Sequence, residues 1–182
     1  MLRSGLEMPH AVQNCDKYTH RERSRLNRWR RLAPPPPSRP AHCRPRPREA
    51  AVRNLPPALR GKRPKGAEHS PWEILEHLRI AQWDILEFSR DPGHQSPEWP
   101  SGYWPATPAP PSAAAWDKSV RAFRRDLKSM CDLVAAPSTD LFGKIPQGDG
   151  QTILREALLL ADHNAYHLGE FVLIRRLLGA WK

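Results

Sequence analysis

The chain is poor in cysteine: Cys15, Cys43 and Cys131 are all it has among 182 residues. None belongs to a C-x2-C pair, and an odd number spread this widely excludes a self-contained disulfide framework. A reducing, cytoplasmic setting is therefore expected. Cys131 falls within a helical pattern and should be a small buried hydrophobe. Long apolar runs are missing too. The best are residues 157–161 and 172–174, far short of the roughly 20 residues a membrane-spanning helix needs. The opening MLRSGLEMPHAVQNCDKY lacks the apolar centre of a secretory signal. No stretch alternates apolar and polar residues with period two, so no strand is expected, and no segment repeats. Absent as well are a glycine-rich phosphate loop and any serine–histidine–acid arrangement, which removes two common catalytic chemistries.

What is plentiful is basic charge, and it is unevenly placed. The net charge is +10, yet residues 1–66 hold 17 Lys/Arg against 4 Asp/Glu, and residues 67–182 hold 12 against 15. Nucleic-acid binding would thus be a property of the N-terminal third alone. There, RERSRLNRWRRLA (21–33) offers a short basic helix with only Leu26, Trp29 and Leu32 as apolar positions. PPPPSRPAHCRPRPR (34–48) follows. Such composition cannot bury enough surface to offset backbone ordering, so it should be extended or disordered. It lacks the interleaved aromatics of single-strand binders, and no nucleic-acid partner is expected. The boundary is drawn there: residues 1–48 as a basic Pro/Arg-rich segment, residues 49–182 as the folded domain.

Within the domain, EAAVRNLPPALRG (49–61) reads as a turn, a Pro-Pro break and a second turn, and GKRPKGAEH (61–69) as a loop. Ser70-Pro71-Trp72-Glu73 then combines an N-cap serine, proline at the first helical position and glutamate at the third. Trp72, Ile74, Leu75, Leu78, Ala81, Ile85, Leu86 and Phe88 follow at helical spacing, so a helix should run from Ser70 to about Arg90. Residues 91–111 form a long proline-rich loop. Its Trp99, Tyr103 and Trp104 would either line a substrate pocket or pin the loop to the core. A second helix is expected over 112–135, where Trp116, Val120, Phe123, Leu127, Met130 and Val134 make a heptad seam. A third runs from residue 151 or 152 to 178, with Arg175 and Arg176 at its negative end and Gly179 as its stop. The fold class is all-α. Three helices leave a bundle one short, so a fourth must come from before residue 60 or from another chain.

His163 and His167 lie four apart in the third helix, one above the other on one face. His77, on a neighbouring antiparallel helix, would complete a facial set of three neutral nitrogen donors. Such a set leaves open positions for water or substrate, the layout of a catalytic metal centre. Zinc and nickel both suit imidazole. The plainer alternative is three ordinary helix histidines. His10, His20, His42, His69 and His94 fall in loops or the tail and are read as solvent residues. Glu73 is explained by the capping box, and Glu76 and Asp162, each next to a ligand, point elsewhere. Glu170 is three residues after His167 and seven after His163, on the same face. It is the candidate base, ligand-orienting acid or fourth ligand, weighed equally against a surface carboxylate.

HSPWEILEHLRIAQWDILEFSRDP (69–92), SPEWPSGYWPATPAPP (96–111) and DGQTILREALLLADHNAYHLGEFVLIRRLLGAW (149–181) together resemble the DinB superfamily, from about Glu49 to the end of the chain. The resemblance implies an up-and-down four-helix bundle. Its second helix supplies one histidine and its last helix two, here His77, His163 and His167, around a divalent metal. Some members resemble S-transferases or isomerases that use a low-molecular-weight thiol. The resemblance thus implies a metal-dependent transferase or hydrolase acting on a small molecule. The alternative is a non-catalytic bundle that serves as a dimerisation or interaction module, and a homodimer is expected. Two departures stand out. Glu170 occupies a position where similar proteins often carry glutamine. Residues 1–48 replace the first amphipathic helix of the family, which a wrong start site or a frame error upstream of residue 49 would explain.

Overall fold

The computed structural model describes residues 51–181. The basic segment 1–48, the short helix expected at 21–33 and any first helix of the bundle lie outside the described residues. Among those described, the fold is all-helical: α1 (Pro71–Arg90), α2 (Ala113–Ala135) and α3 (Ile153–Leu177), with short 3-10 turns at Pro57–Leu59 and Ser101–Tyr103. One isolated bridge, Lys144 with Thr152, is the only extended pairing among them. No described helix is long and apolar enough to cross a membrane.

Local chemistry sets each helix start. Ser70 takes an extended backbone, its side chain accepts from the Glu73 amide, and Glu73 accepts in return from the Ser70 amide at 2.8 Å. This is the expected capping box with Pro71 behind it. Arg63 forks onto the same carboxylate. Burial works against the charge on Glu73, but the bonds from Arg63 and Ser70 outweigh it and hold the carboxyl below its usual pKa. The Ser70 hydroxyl also donates to the Pro108 carbonyl, tying the end of the long crossover to the start of α1. Ser112 caps α2 and Thr152 caps α3 through the same side-chain bond to the third amide. α3 ends as read from the sequence. Gly179 sits at φ 69°, with Ala180 N bonded to Arg175 O and Gly179 N to Arg176 O. That pair of bonds defines a Schellman stop.

The packing gives the helix directions. The start of α1 (Trp72, Ile74, Leu75, Leu78) shares a core with Trp116 and Phe123 of α2 and with Leu168, Phe171 and Ile174 of α3. Farther along, Leu86 packs with Met130 and Leu160. Hence α1 and α2 run the same way and α3 runs against both. Alternation holds from α2 to α3. Between α1 and α2 the long crossover (residues 91–112) replaces a hairpin, which its length permits. Between the two apolar layers lies a buried polar tie. Asn164 Nδ2 donates to Gln82 Oε1 at 2.9 Å, and Gln82 Nε2 donates to the Phe123 carbonyl, joining all three helices.

Two expectations change. Cys131 is exposed, not buried. The inward face of α2 is set by Trp116, Phe123 and Met130, and the residue after Met130 turns about 100° away. Arg175 does more than complement the helix dipole: its buried guanidinium donates to the carbonyls of Ala51, Arg53 and Ala180, fastening the first described turn to the end of α3.

Candidate metal centre

His77 lies on the second turn of α1, and His163 and His167 lie midway along α3. Antiparallel packing brings them together. His77 Nε2 is 3.1 Å from His163 Nε2 and 3.2 Å from His167 Nε2. One ligand nitrogen from each ring falls within 4.8 Å of the other two, the only such group among the described residues.

The outer nitrogens determine which tautomers meet. His77 Nδ1 is 3.1 Å from the Tyr103 carbonyl, which only accepts, so that nitrogen carries the proton. His167 Nδ1 is 3.0 Å from the Glu170 carboxylate, and the same logic applies. In neutral rings both Nε2 atoms are then bare. Two bare nitrogens 3.2 Å apart repel, and a cation between the rings turns that repulsion into coordination. The donor set therefore fits a divalent metal. Burial first, and then the neighbouring imidazoles, depress His77 to about 4 and His163 to about 3, so both are neutral ligands at physiological pH. His163 Nδ1 is buried without a hydrogen-bond partner.

A ring of contacts surrounds the triad. The Trp104 indole stacks on His77 (4.1 Å, 5°) and on His69 (4.1 Å, 11°). His69 Nδ1 approaches Glu170 Oε1 at 3.5 Å, and the other Glu170 oxygen meets His167. His69 is thus part of the site wall, not the solvent residue expected from its loop. His94 is likewise no solvent residue. Its side chain is 7% exposed and its Nε2 lies 2.7 Å from Asp84 Oδ1. The Tyr103 hydroxyl donates to the other Asp84 oxygen at 2.6 Å. Burial first, and then this bond, push the tyrosine pKa well up. His10, His20 and His42 lie outside the described residues.

Of the three loop aromatics singled out by sequence, Tyr103 meets His77 through its carbonyl and Trp104 through its ring. Trp99 is 61% exposed and meets Tyr103 edge-on at 5.2 Å. Glu170, half-buried, lies 3.0 Å from Nδ1 of His167. Glu76 instead forks with Arg79, and Asp162 faces solvent. Sequence reasoning missed Asp84, although one signal was present: it lies seven residues, two turns, after His77 and so on the same face of α1.

A model of the DinB superfamily matches residues 46–171, a span that includes all three histidines. Searches of curated proteins and of solved structures returned no match. An all-helical domain matched over more than half its length, with its histidines gathered on α1 and α3, belongs to the DinB superfamily.

Proposed function

We propose that the domain is a metal-dependent enzyme in which His77, His163 and His167 hold one divalent cation, zinc or nickel, and leave positions open on it. The observation that supports this most directly is the convergence of three imidazole Nε2 atoms, with His77 Nε2 at 3.1–3.2 Å from the other two, from two separate helices. Three neutral donors leave nearly the whole metal charge in place, enough to acidify a bound water or hold a thiol as thiolate. The chain's own groups do the rest. Tyr103 and Glu170 keep protons on the outer nitrogens, and burial keeps His77 and His163 uncharged. Glu170, 28% exposed at its side chain and bonded to His167 Nδ1, is the candidate to accept a proton from an incoming nucleophile. Trp104 and the exposed Trp99 offer apolar surface on the crossover for a small-molecule substrate.

The reaction class we infer is transfer to a low-molecular-weight thiol or hydrolysis, in a reducing cytoplasm where free thiols persist. Elemental analysis of the purified chain tests the reading. About one zinc or nickel per chain is expected, lost on His163→Ala. A metal-free wild type whose stability the substitution leaves unchanged would refute it.

One observation favours a second reading, a homodimer or interaction module. Leu158, Tyr166, Leu173 and Leu177 are large and exposed, and their spacing puts them on one side of α3. Such a stripe is a common docking surface. Sedimentation of wild type against Leu173→Glu/Leu177→Glu separates dimer from monomer.

A further inference from the structure

Outside the three ligands, a buried acidic group farther along α1 calls for an account: Asp84. It is 8% exposed, and both of its oxygens are taken, one by His94 and one by the Tyr103 hydroxyl. It has no direct contact with His77. Two turns of α1, about 10 Å of helix rise, separate the two residues. Tyr103 bridges that distance: its carbonyl meets His77 Nδ1 at 3.1 Å while its hydroxyl meets Asp84 at 2.6 Å. The residue therefore lies along α1 as a strut fastened at both ends. The next residue, Trp104, lays its ring on the His77 imidazole. His94 brings the first part of the crossover to the same carboxylate, with Trp83 edge-on against its ring at 5.0 Å. The start and the middle of the crossover are thus referred to one side chain of α1.

We propose that Asp84 is a positioning residue for the metal centre: through Tyr103 it holds the crossover so that the Tyr103 carbonyl and the Trp104 ring fix the tautomer and tilt of His77. The physical reason is that a carbonyl on a loop orients an imidazole only as well as the loop itself is held. Within residues 91–111 the bonds that shape residue 103 are local, the Ser101–Tyr103 turn and the Tyr103 amide to the Pro100 carbonyl at 3.1 Å, so they set its conformation but not its place along α1; the Asp84 bond supplies that anchor. This inference rests on the metal reading above, since it concerns the orientation of one of the proposed ligands.

The test uses Tyr103→Phe in the full chain. That change removes only the hydroxyl, leaving the backbone carbonyl and all three histidines in place. Zinc affinity is measured by competition with a chromophoric chelator, and cobalt is substituted to read ligand geometry from its visible bands. Thermal unfolding of the metal-free protein is followed in parallel. The expected result is zinc binding weakened about tenfold, the low end for partners outside the ligand set, with altered cobalt bands. Asp84→Ala should do the same, and His94→Phe should weaken binding less, because the strut to Tyr103 remains. If Tyr103→Phe binds zinc within twofold of wild type with unchanged cobalt bands, the inference is overturned, whatever happens to the unfolding temperature. If wild type itself binds neither metal, the metal reading fails first and takes this inference with it. Wild-type binding beside an unaffected variant refutes the inference alone.

Discussion

Replacing Glu170 probes the half of the centre that α3 supplies. One oxygen accepts from His167 Nδ1 at 3.0 Å and the other lies 3.5 Å from His69 Nδ1. Glu170→Ala removes the acceptor that fixes the His167 tautomer, allowing the proton to move to the nitrogen that should bind metal. Partners of this kind are worth about 10–100-fold in metal affinity, or about 1.4–2.8 kcal/mol. Glu170→Gln keeps an acceptor oxygen but loses the charge, so it should weaken binding less than tenfold. Because the carboxylate is 28% exposed, the metal-free alanine variant should lose well under about 1 kcal/mol of folding stability. Zinc competition titration beside urea unfolding of the metal-free proteins measures both quantities. Unchanged zinc affinity in Glu170→Ala would refute the orienting role. Complete loss, equal to that of His163→Ala, would make Glu170 a fourth ligand instead.

Three further outcomes follow from buried polar groups. Glu156 is buried, and burial raises its pKa against the opposing pull of Arg155, so the folded state holds its proton at higher pH than the unfolded chain. Stability is then lost as pH rises from the unfolded value through the folded one; Glu156→Gln should stabilise by up to about 1 kcal/mol at pH 8 and by nothing near pH 4, and equal urea midpoints at pH 8 would contradict this. Arg175→Met leaves the carbonyls of Ala51, Arg53 and Ala180 without their charged donor and should cost about 3 kcal/mol or more, read as a fall in the urea midpoint; a fall equivalent to under about 1 kcal/mol would be the contrary result. Gln82→Leu strands the buried Asn164 amide and should cost about 1–3 kcal/mol, part of it recovered by adding Asn164→Leu in a double-mutant cycle; strictly additive losses would show that the two side chains do not interact.

The helix limits were legible almost to the residue, because caps are local chemistry. Ser70, Ser112 and Thr152 each start a helix through a side-chain bond to an amide three residues on, and Gly179 ends one by taking φ 69°. The histidine triad was legible for a related reason. A four-residue spacing on a helix fixes relative direction, and only the third member depends on tertiary packing. What was hidden depended on the path of the crossover. His69 and His94 sit in irregular segments whose position no periodicity encodes, so their contacts with Glu170, Trp104 and Asp84 could not be read from spacing. The parallel course of α1 and α2 was hidden for the same reason. Cys131 was misplaced because a seam of apolar residues says which face is buried but not how wide that face is, and the residue after Met130 falls just beyond it.

The remaining question is what keeps α1 and α3 in the one register that lets the imidazoles meet. Apolar packing alone is permissive, since Leu78, Leu86, Leu160 and Leu168 would tolerate neighbours of similar size after a shift. A slip of one turn moves a side chain about 5.4 Å, more than the 4.8 Å within which the three ligand nitrogens lie. The centre therefore needs an interaction that fails when the helices slide. Gln82 and Asn164 supply it. Gln82 is five residues after His77, and Asn164 adjoins His163. Their amides are fully buried and bond to each other at 2.9 Å. Out of register the Gln82 oxygen and the Asn164 amide would be left unpaired in the core, at a cost of about 1–3 kcal/mol per group, whereas the apolar layers on either side can repack. A buried polar pair that adds modestly to stability thus contributes strongly to specificity, and it does so beside His163 and about a turn and a half of α1 from His77.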